Sequence, residues 1–352
     1  MRALIIEQYG EPADVLKLVE LPTPEPGPGE VRVRMKLSPV NPSDFNTMRG
    51  GYRKSLERVI WNRDAERLFF DAERTRELVP PPVSPGADGM GVVEAAGSGW
   101  MARRLIGRRV IALGAASGNW REQVIVPAMQ ALPVPAGVSD EQAAMFLVNP
   151  MTAWAMVTQV LCVPRGAWLL QSGGAAQLAR MVTKLGRARG FRTISIVRRA
   201  DASAGLMDLG ADAVIDASRE DVFERVAETT ANAGVRFALD CVGGDTLASM
   251  VRCLAPGAHL LCYGSLSSDM LNFPVRDLMS PTACIEGFLL PQWIARQGLL
   301  GRLRAMRTVG RLIGAGVLAS AVGQVYPITD YRAALAESVR PGRGGKAMLR
   351  FD

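Results

Sequence analysis

The second half of this 352-residue chain alternates strand-length apolar runs with helix-length amphipathic stretches. Strands are predicted at Ala167–Gln171, Thr193–Val197, Ala213–Ile215, Phe237–Asp240 and His259–Tyr263. Helices are predicted at Asp140–Phe146, Thr152–Val160, Ala176–Arg189, Ala202–Leu209, Asp221–Ala231 and Asp245–Cys253. A parallel strand pair needs a long crossover, usually a helix, so this alternation indicates a parallel sheet. The pattern therefore predicts an α/β chain with a doubly wound parallel sheet.

A glycine turn follows the first of these strands. Trp168–Gln171 runs into Ser172-Gly173-Gly174-Ala175-Ala176 and then into a helix. In a Rossmann domain this turn binds pyrophosphate, because glycines let the backbone approach and the helix N-terminus offers free N–H groups. The usual G-x-G-x-x-G spacing is absent, with alanine at Ala175 and Ala179. The turn predicts a dinucleotide-binding site. Because two of the usual glycines are missing, a site that binds the cofactor weakly, or no longer binds it, is the alternative.

Two arginines, Arg198 and Arg199, end the second strand of the sheet. An acidic residue at this tip selects NAD, whereas arginine accommodates the 2′-phosphate of NADP. No acidic residue stands there, which favours NADPH over NADH. The alternative is that Arg198 and Arg199 are ordinary surface residues without a role in binding. The loops Asp240–Gly244 and Tyr263–Leu266 follow later strands, at the sheet edge where ligands bind.

The N-terminal part of the chain has a different pattern of predicted elements. Short strand-like runs, separated by Pro/Gly stretches such as TPEPGPGE, indicate an irregular β-barrel over residues 1–130. The last residues return to β character at Gly323–Tyr326 and Lys346–Phe351. We therefore predict one domain from residues 1–130 and 312–352, with the nucleotide-binding domain, residues 131–311, inserted in it.

One segment interrupts the β pattern. Arg53–Val79 is rich in charge and carries apolar residues at helical intervals, which predicts one or two amphipathic helices. Packing onto the domain is the ordinary interpretation of its apolar face. A lid or channel wall is the alternative, because the segment comes directly after Tyr52.

Composition excludes several classes of function. No segment reaches the ~18 uninterrupted apolar residues that span a bilayer, and the apolar part of the N-terminus is too short for a signal peptide, so we expect a soluble, cytoplasmic protein. The net charge of +7 comes from scattered arginines without a nucleic-acid-binding motif. We therefore expect neither membrane nor nucleic acid as a partner.

The cysteine and histidine content argues against a metal site. His259 is the single histidine, and the chain has no Cys-x-x-Cys pair. The five cysteines, Cys162, Cys241, Cys253, Cys262 and Cys284, stand in apolar contexts, which predicts buried, reduced thiols. We expect neither a catalytic nor a structural zinc ion.

Several runs together resemble one enzyme family. They are VNPSDFNTMRGGY at Val40–Tyr52, FLVNPMTA at Phe146–Ala153, GNWR at Gly118–Arg121 and FRTISIVRR at Phe191–Arg199. The chain resembles, over nearly its whole length, the zinc-free and NADPH-using branch of the medium-chain dehydrogenase/reductase family. Within that branch it is most similar to 2-enoyl thioester reductases and quinone oxidoreductases. The resemblance implies a GroES-like β-barrel catalytic domain, a Rossmann domain and a homodimer joined through the Rossmann domains.

The resemblance also implies roles for individual residues. Tyr52 would be the catalytic acid, and Asn149 would lie beside the nicotinamide. The implied cofactor contacts are Gly173, Gly174, Ala175, Ala176, Gln177 and Leu178 at the pyrophosphate, Arg198 and Arg199 at the 2′-phosphate, and Tyr263, Gly264, Ser265, Leu266, Phe288, Leu289, Leu290 and Lys346 elsewhere in the pocket. For Tyr52 a packed turn tyrosine is the plain alternative, and for Asn149 a turn or cap role before Pro150.

These observations support one function and leave two alternatives. We expect NADPH-dependent reduction of the 2,3-double bond of an enoyl thioester, CoA- or carrier-bound, with Tyr52 as the proton donor. A quinone or α,β-unsaturated ketone reductase of the same fold is the first alternative. A dinucleotide-binding protein without catalysis is the second, and the missing glycines favour it.

Overall fold

The computed structural model describes residues 1–51, 82–113, 118–199, 203 and 205–351. Tyr52 and the predicted helical segment Arg53–Val79 lie outside the described residues. The chain divides into two compact units, which we call unit 1 (Met1–Phe146 with Ala321–Asp352) and unit 2 (Leu147–Ser320). The predicted domain boundaries, at residues 130 and 312, differ from these and stay a prediction.

The described strands and helices have the following bounds. Numbered along the chain, the strands are β1 Arg2–Ile6, β2 Leu16–Glu20, β3 Glu30–Pro39, β4 Met90–Ala96, β5 Arg109–Ala112, β6 Gln123–Pro127, β7 Ala131–Pro133, β8 Trp168–Gln171, β9 Arg192–Val197, β10 Ala213–Asp216, β11 Val235–Asp240, β12 Leu254–Cys262, β13 Cys284–Gly287, β14 Val322–Pro327 and β15 Lys346–Arg350. The α-helices are Pro12–Val15, Pro42–Met48, Trp100–Arg103, Asp140–Ala144, Thr152–Ala155, Gln177–Arg189, Leu206–Leu209, Val222–Thr229, Gly244–Arg252, Arg276–Met279, Leu290–Ala295, Leu299–Gly314 and Tyr331–Val339.

Unit 1 is built around β3. In the seven-stranded sheet of the described residues the order is β14-β15-β3-β4-β5-β7, and β6 also pairs with β3. Along β3 the residues Val31, Val33 and Met35 are buried whereas Arg34 is exposed, as the period of two in a half-buried strand requires. β15 pairs antiparallel with the end of β3, so the last strand of the chain lies beside residues 37–40.

The helix Asp140–Ala144 belongs to unit 1. Its residue Asp140 forms ion pairs with Lys36 of β3 at 3.4 Å and with Arg109 of β5 at 2.5 Å. Ser139 caps this helix by accepting a hydrogen bond from Gln142 N at 3.3 Å. These contacts explain why unit 1 extends to Phe146, beyond the predicted boundary.

Unit 2 contains a six-stranded parallel sheet with the order β10-β9-β8-β11-β12-β13. The chain leaves β8 toward β9 and β10 and then returns to the other side of β8 at β11. This reversal makes the gap between β8 and β11 the topological switch point of the sheet. The fold class predicted from sequence, a doubly wound parallel sheet beside a β-rich domain, is confirmed.

Helix ends in unit 2 follow the sequence signals. Asp221 accepts a hydrogen bond from Glu224 N at 2.9 Å and caps Val222–Thr229. The helix Gln177–Arg189 ends at Gly190, whose φ of 84° is the left-handed conformation that favours glycine. Pro150 lacks an N–H group, and the predicted helix Thr152–Val160 is an α-helix only to Ala155, with π-type turns on either side.

Some sequence predictions need correction. Cys162 and Cys284 are exposed, so the expectation that all five cysteines are buried is wrong. Cys162 has a φ of 48° in the loop before β8, and Cys284 lies on the edge strand β13. Within the described residues, no helix has the length and apolarity that a membrane crossing requires.

Candidate functional site

The predicted cofactor residues of unit 2 gather at the carboxyl edge of the parallel sheet. The turn Ser172–Ala176 follows β8, Arg198 and Arg199 follow β9, and Tyr263–Leu266 follow β12. Phe288 follows β13, and its N–H donates to Cys262 O at 2.8 Å. Since all these strands are parallel, the residues after them share one edge, and the switch point between β8 and β11 lies within it.

The two glycines of the turn are required by its geometry. Gly173 has a φ of 60°, and a Cβ there would lie 2.8 Å from Cys241 Sγ. A Cβ on Gly174 would lie 2.8 Å from Ser195 Cβ and 3.2 Å from Ile196 O, while Gly174 N donates to that same oxygen at 2.8 Å. The sequence therefore retains glycine at the two positions where packing against the neighbouring strands excludes a side chain.

The helix after this turn has an open N-terminus. Ala176 is its N-cap residue, and no side chain caps the helix. The first turn of an α-helix leaves its N–H groups without intrahelical partners, and the helix dipole makes that end attractive to anions. Ala175 and Ala176 are exposed, whereas the side chain of Leu178 is buried, so Leu178 can offer a ligand only its backbone N–H. The arrangement is suited to a phosphate group.

Arg198 and Arg199 are both exposed beyond the end of β9. They add two guanidinium groups to the edge that carries the open helix N-terminus. Guanidinium groups bind phosphate with two parallel hydrogen bonds, so this tip can hold a second phosphate.

A buried polar residue, Asp240, lies at the sheet edge beneath the turn, in the loop Asp240–Gly244 that the sequence placed at this edge. The Asp240 carboxylate accepts from Ser172 Oγ at 2.6 Å, Gly243 N at 2.9 Å and Val242 N at 3.2 Å. Ser172 Oγ in turn accepts from Cys241 N at 3.0 Å. These bonds join the ends of β8 and β11 on both sides of the switch point. The sequence placed the Asp240 loop at this edge but gave no signal for the contact with Ser172, which is 68 positions away in the chain.

Cys241 and Tyr263 lie in the same region. Burial raises the pKa of the Cys241 thiol, while its hydrogen bond with Tyr263 lowers it. Burial likewise raises the pKa of Tyr263 well above its ordinary value. Both groups are therefore neutral at physiological pH and present hydrogen-bonding rather than charged atoms.

Asn149 lies in the π-type turn Leu147–Met151, where it is half-buried. This turn contacts the helices Gln177–Arg189 and Leu299–Gly314. Asn149 therefore lies in a turn that packs against the helix following the glycine turn, and its place beside the nicotinamide stays a prediction.

Unit 1 holds a buried group of charged and polar residues that we call the ionic cluster: Asn41, Asp44, Asp88 and Lys346. Lys346 Nζ donates to Asn41 Oδ1, and Asn41 Nδ2 donates to Asp88 Oδ2 at 3.4 Å. The side chain of Lys346, predicted as a cofactor contact, is therefore engaged inside unit 1. The residue is only 4 % exposed, and the other three are 2 % exposed or less.

Burial shifts the pKa values of two residues of the ionic cluster, Asp44 and Lys346. Burial raises the pKa of Asp44 to about 6, opposed by hydrogen bonds from the backbone of Asn41, Ala87 and Gly86 and by the charge of Lys346. Burial lowers the pKa of Lys346 to about 8, opposed by the charges of Asp88 and Asp44. Both groups are charged between these two values.

No metal centre is found in the part of the chain that the structure describes. There, no three His, Cys, Asp or Glu side chains are grouped so that they could hold a metal ion.

Each of the two units contains a region that matches a known protein family. Residues 27–136, within unit 1, match the family described as "Alcohol dehydrogenase GroES-like domain". Residues 178–306, within unit 2, match the family described as "Zinc-binding dehydrogenase". The two matches together span more than half of the chain and follow the order of domains seen here. The chain belongs to the medium-chain dehydrogenase/reductase family.

Curated relatives in this dehydrogenase/reductase family are enoyl reductases. The mitochondrial enoyl-[acyl-carrier-protein] reductase of Xenopus tropicalis is 28% identical over 99% of this chain and 95% of its own length. The human enzyme of the same name is 28% identical over 99% of this chain and 88% of its own length.

Solved structures give the same fold. A putative NADPH:quinone reductase from Bacillus thuringiensis superposes with a TM-score of 0.87 and 27% identity, covering 100% of this chain and 99% of the other. The quinone oxidoreductase of Thermus thermophilus, solved also as an NADPH complex, gives 0.76 and 28% with 100% of both chains covered. The resemblance to enoyl reductases and quinone oxidoreductases is confirmed.

Proposed function

We propose that this member of the medium-chain dehydrogenase/reductase family is an NADPH-dependent oxidoreductase that reduces the 2,3-double bond of an enoyl thioester. The observation that carries the proposal is the match, over 99% of the chain, to enoyl-[acyl-carrier-protein] reductases. The thioester is CoA- or carrier-bound. The hydride is added to the β-carbon, and Tyr52 donates the proton.

The residues of unit 2 fit NADPH. Gly173 and Gly174 keep the turn free of side chains, and the helix beginning at Gln177 has an open N-terminus for the pyrophosphate. Arg198 and Arg199 supply positive charge for the 2′-phosphate. NADPH, when bound, supplies the hydride. We assign Tyr263–Leu266 and Phe288–Leu290 to the rest of the same pocket, since they follow strands that end at the same sheet edge, and Asn149 on the family resemblance.

The chemistry that remains for the protein is to stabilise negative charge and to deliver a proton. Reduction at the β-carbon places negative charge on the thioester carbonyl oxygen, as an enolate. A tyrosine hydroxyl, with an unperturbed pKa near ~10, is protonated at neutral pH and can donate a hydrogen bond and then a proton. Proton transfer of this kind contributes on the order of 10²- to 10⁴-fold to the rate. Tyr52 is proposed for this role from its place in the VNPSDFNTMRGGY run.

The test is a Tyr52→Phe variant assayed for NADPH oxidation with crotonyl-CoA. We expect kcat to fall by about 10²-fold or more, with little change in the Kd of NADPH. Tyr326→Phe, on strand β14, is the matched control and should retain the wild-type rate. A Tyr52→Phe enzyme with wild-type kcat would remove this tyrosine from the mechanism.

Reduction of a quinone or an α,β-unsaturated ketone is the second candidate. It is favoured by the solved structures at 27% and 28% identity, both quinone reductases by name. Wild-type kcat/KM measured with crotonyl-CoA, an enone and a quinone decides between the candidates, and we expect the highest value for crotonyl-CoA. NADPH binding by fluorescence titration without turnover of any of the three would favour a non-catalytic dinucleotide-binding protein.

Two further assignments concern partners and location. We propose a homodimer formed through the edge strand β13, which in the described part of unit 2 pairs only with β12. The segment between these strands exposes Leu266, Met270, Leu271, Val275 and Met279. Light scattering should give twice the mass of one chain, and half of that value for Val275→Glu/Met279→Glu. A cytoplasmic location stays a prediction, since the curated relatives are mitochondrial by name.

A further inference from the structure

A short loop of unit 1 exposes large apolar side chains together with arginines. Trp100 is 69% exposed and is the only exposed tryptophan in the part of the chain that the structure describes. Folded proteins usually keep tryptophan largely buried. We call this surface the basic patch and define it by its exposed residues Trp100, Met101, Arg103, Arg104, Ile106 and Arg108. Exposed apolar side chains that are grouped, rather than scattered singly, mark interaction sites.

The arginines of the basic patch have no carboxylate partners. In the sequence, no acidic residue lies between Glu94 and Glu122. Those two glutamates are engaged elsewhere, Glu94 with Arg32 at 2.7 Å and Glu122 with Arg2 at 2.6 Å. Among the described residues, no ion pair is formed by Arg103, Arg104 or Arg108. The patch therefore carries an excess of positive charge that the fold itself does not use.

A shallow cavity of about 300 Å³ opens within the basic patch. Its lining combines apolar side chains with two arginines: Trp100, Met101, Leu105, Pro133, Arg104 and Arg108. The guanidinium group of Arg104 lies 5.8 Å from the centre of the Trp100 ring, in a cation–π contact. The cavity has room for one large apolar side chain, with two positive charges beside it.

The backbone of this loop is fixed at both ends. Gly97 N donates to Glu30 O at 3.0 Å, and Gly107 N donates to Val93 O at 2.8 Å. Between them, Ala102 is buried in the core of unit 1. A surface that is already ordered loses little conformational freedom on binding, which favours affinity.

The charge and the shape of the basic patch favour one kind of partner. In a two-fold symmetric dimer centred on the patch, arginines would face arginines, so a second copy of this chain does not fit. A bilayer surface fits less well than a protein, because the cavity between Trp100 and Pro133 needs a protruding side chain to fill it. The guanidinium fork of arginine also matches the two oxygens of a carboxylate. These features together favour an acidic protein segment that carries an apolar side chain.

We propose that the basic patch is a docking site for an acidic, amphipathic segment of another protein. One apolar side chain of that segment fills the cavity, and its carboxylates pair with the arginines around it. Trp100 lies at the centre of the contact, where buried aromatic groups carry most of the binding energy. Every residue of the patch belongs to unit 1, and none belongs to the candidate cofactor site, so the docking site does not depend on the proposed reduction.

The experiment uses the 352-residue protein and a fluorescein-labelled peptide of Glu-Glu-Leu-Leu repeats, whose binding is measured by fluorescence anisotropy. We expect saturable binding that weakens with added salt, because salt screens exposed charges. Trp100→Ala should raise the Kd of the peptide by about tenfold or more. Arg104→Glu/Arg108→Glu should raise it by at least as much, because carboxylates then face carboxylates. A peptide with glutamine in place of glutamate should bind about tenfold more weakly or not at all.

Matched controls alter a second surface that also exposes leucine and arginine. Leu300→Ala removes an exposed apolar side chain of the helix Leu299–Gly314. Arg304→Glu/Arg307→Glu, on the same helix, changes the net charge as much as the double variant of the patch does. Both controls should bind the peptide with the wild-type Kd. All four variants replace exposed side chains, so their thermal midpoints should stay close to that of the wild type.

Several outcomes would overturn the docking site. An equal rise in Kd for the control variants would show that net charge alone attracts the peptide. Equal binding of the glutamate and glutamine peptides would exclude pairing with the arginines, and a wild type without saturable binding would exclude the site altogether. Sedimentation with vesicles of phosphatidylcholine and phosphatidylserine tests the other partner class. Vesicle binding that Trp100→Ala abolishes, without binding of the peptide, would make the basic patch a membrane contact instead.

Discussion

Gly174 shows how a single residue can connect packing to cofactor binding. A Cβ at this position would lie 2.8 Å from Ser195 Cβ and 3.2 Å from the backbone oxygen of Ile196, so the turn would have to move away from β9. Gly174→Ala should therefore weaken NADPH binding by about tenfold or more, since overpacking of this kind costs about 1–3 kcal/mol. Fluorescence titration measures the Kd.

A glycine with free space around it provides the control for that variant. Gly298 has a φ of −67°, and a Cβ at this position would meet no atom within 4 Å. Gly298→Ala should leave the Kd of NADPH unchanged, and it should lower the thermal midpoint only slightly, because alanine is a poorer N-cap than glycine for the helix Leu299–Gly314. Equal affinities for the two variants would show that the turn does not contact the cofactor.

Asp44 predicts a dependence of stability on pH. Its pKa is raised by burial from 3.8 to about 6, so ionisation is harder in the folded chain than in the unfolded one. A raised folded-state pKa contributes stability below the unfolded value, and that stability is lost as pH rises through the folded value. The free energy of unfolding of the wild type should therefore fall by about 3 kcal/mol, relative to that of Asp44→Asn, as the pH rises from about 4 to about 7.

Urea unfolding of both proteins across this range measures the difference. Lys346 stays charged throughout, because its own pKa is lowered only to about 8. A free-energy difference that does not change with pH would mean that Asp44 has its ordinary pKa. The ionised Asp44 carboxylate therefore lowers the free energy of unfolding, as is common for groups that are retained for function.

At the scale of elements, the open N-terminus of the helix Gln177–Arg189 predicts a trade-off. Ala176→Asp would place a carboxylate at the N-cap, where it accepts first-turn N–H groups and should stabilise the protein by about 1 kcal/mol. The same carboxylate would occupy and repel the pyrophosphate position, so the affinity for NADPH should fall by more than about tenfold. Urea unfolding and fluorescence titration measure the two effects on the same sample.

The neutral variant Ala176→Asn separates capping from charge. It should gain most of the stability, because asparagine caps helices about as well as aspartate. It should lose less of the NADPH affinity, because it adds no negative charge. If Ala176→Asp gains stability and binds NADPH as well as the wild type, the pyrophosphate does not bind at this helix.

Elements with a local signal were predictable from sequence, and elements without one were not. Five of the six parallel strands of unit 2 were predicted, four of them to within two residues, since apolar runs bounded by turns mark buried strands. The fifth, β12, begins five residues before its predicted start. The helix Leu299–Gly314 and strand β13 were missed. That helix exposes Leu299, Leu300 and Leu303 among its arginines, which blurs the amphipathic pattern, and β13 is a four-residue edge strand with little burial.

The sequence predicted which residues form the candidate site, but it did not predict which side chains contact one another. The glycines, the arginine pair and the strand-end loops followed from local motifs, and the structure brings them to one sheet edge. The ionic cluster could not be predicted in this way, because Asn41 and Lys346 meet only when β15 pairs with the end of β3. Resemblance pointed to Lys346 as a cofactor contact, which stays a prediction, and no local pattern links this lysine to Asn41.

At the scale of the whole molecule, the exposed thiols can report the proposed dimer. Cys162 and Cys284 are exposed in the single chain, and Cys284 lies on the edge strand β13. The other three thiols should stay unreactive, since burial raises the pKa of Cys241 and raises the pKa of Cys253 and Cys262 to about 12. In a dimer joined at β13, Cys284 is covered, so a thiol reagent should label Cys162 rapidly and Cys284 slowly.

Labelling followed by peptide mass spectrometry gives the rate at each cysteine. The Val275→Glu/Met279→Glu variant, which should be monomeric, should label Cys284 at a rate close to that of Cys162. Dilution of the wild type below the dimer dissociation constant should have the same effect on Cys284 and none on Cys162, because only the thiol at the interface depends on association. Rapid labelling of Cys284 in a wild type that light scattering shows to be dimeric would move the interface away from β13.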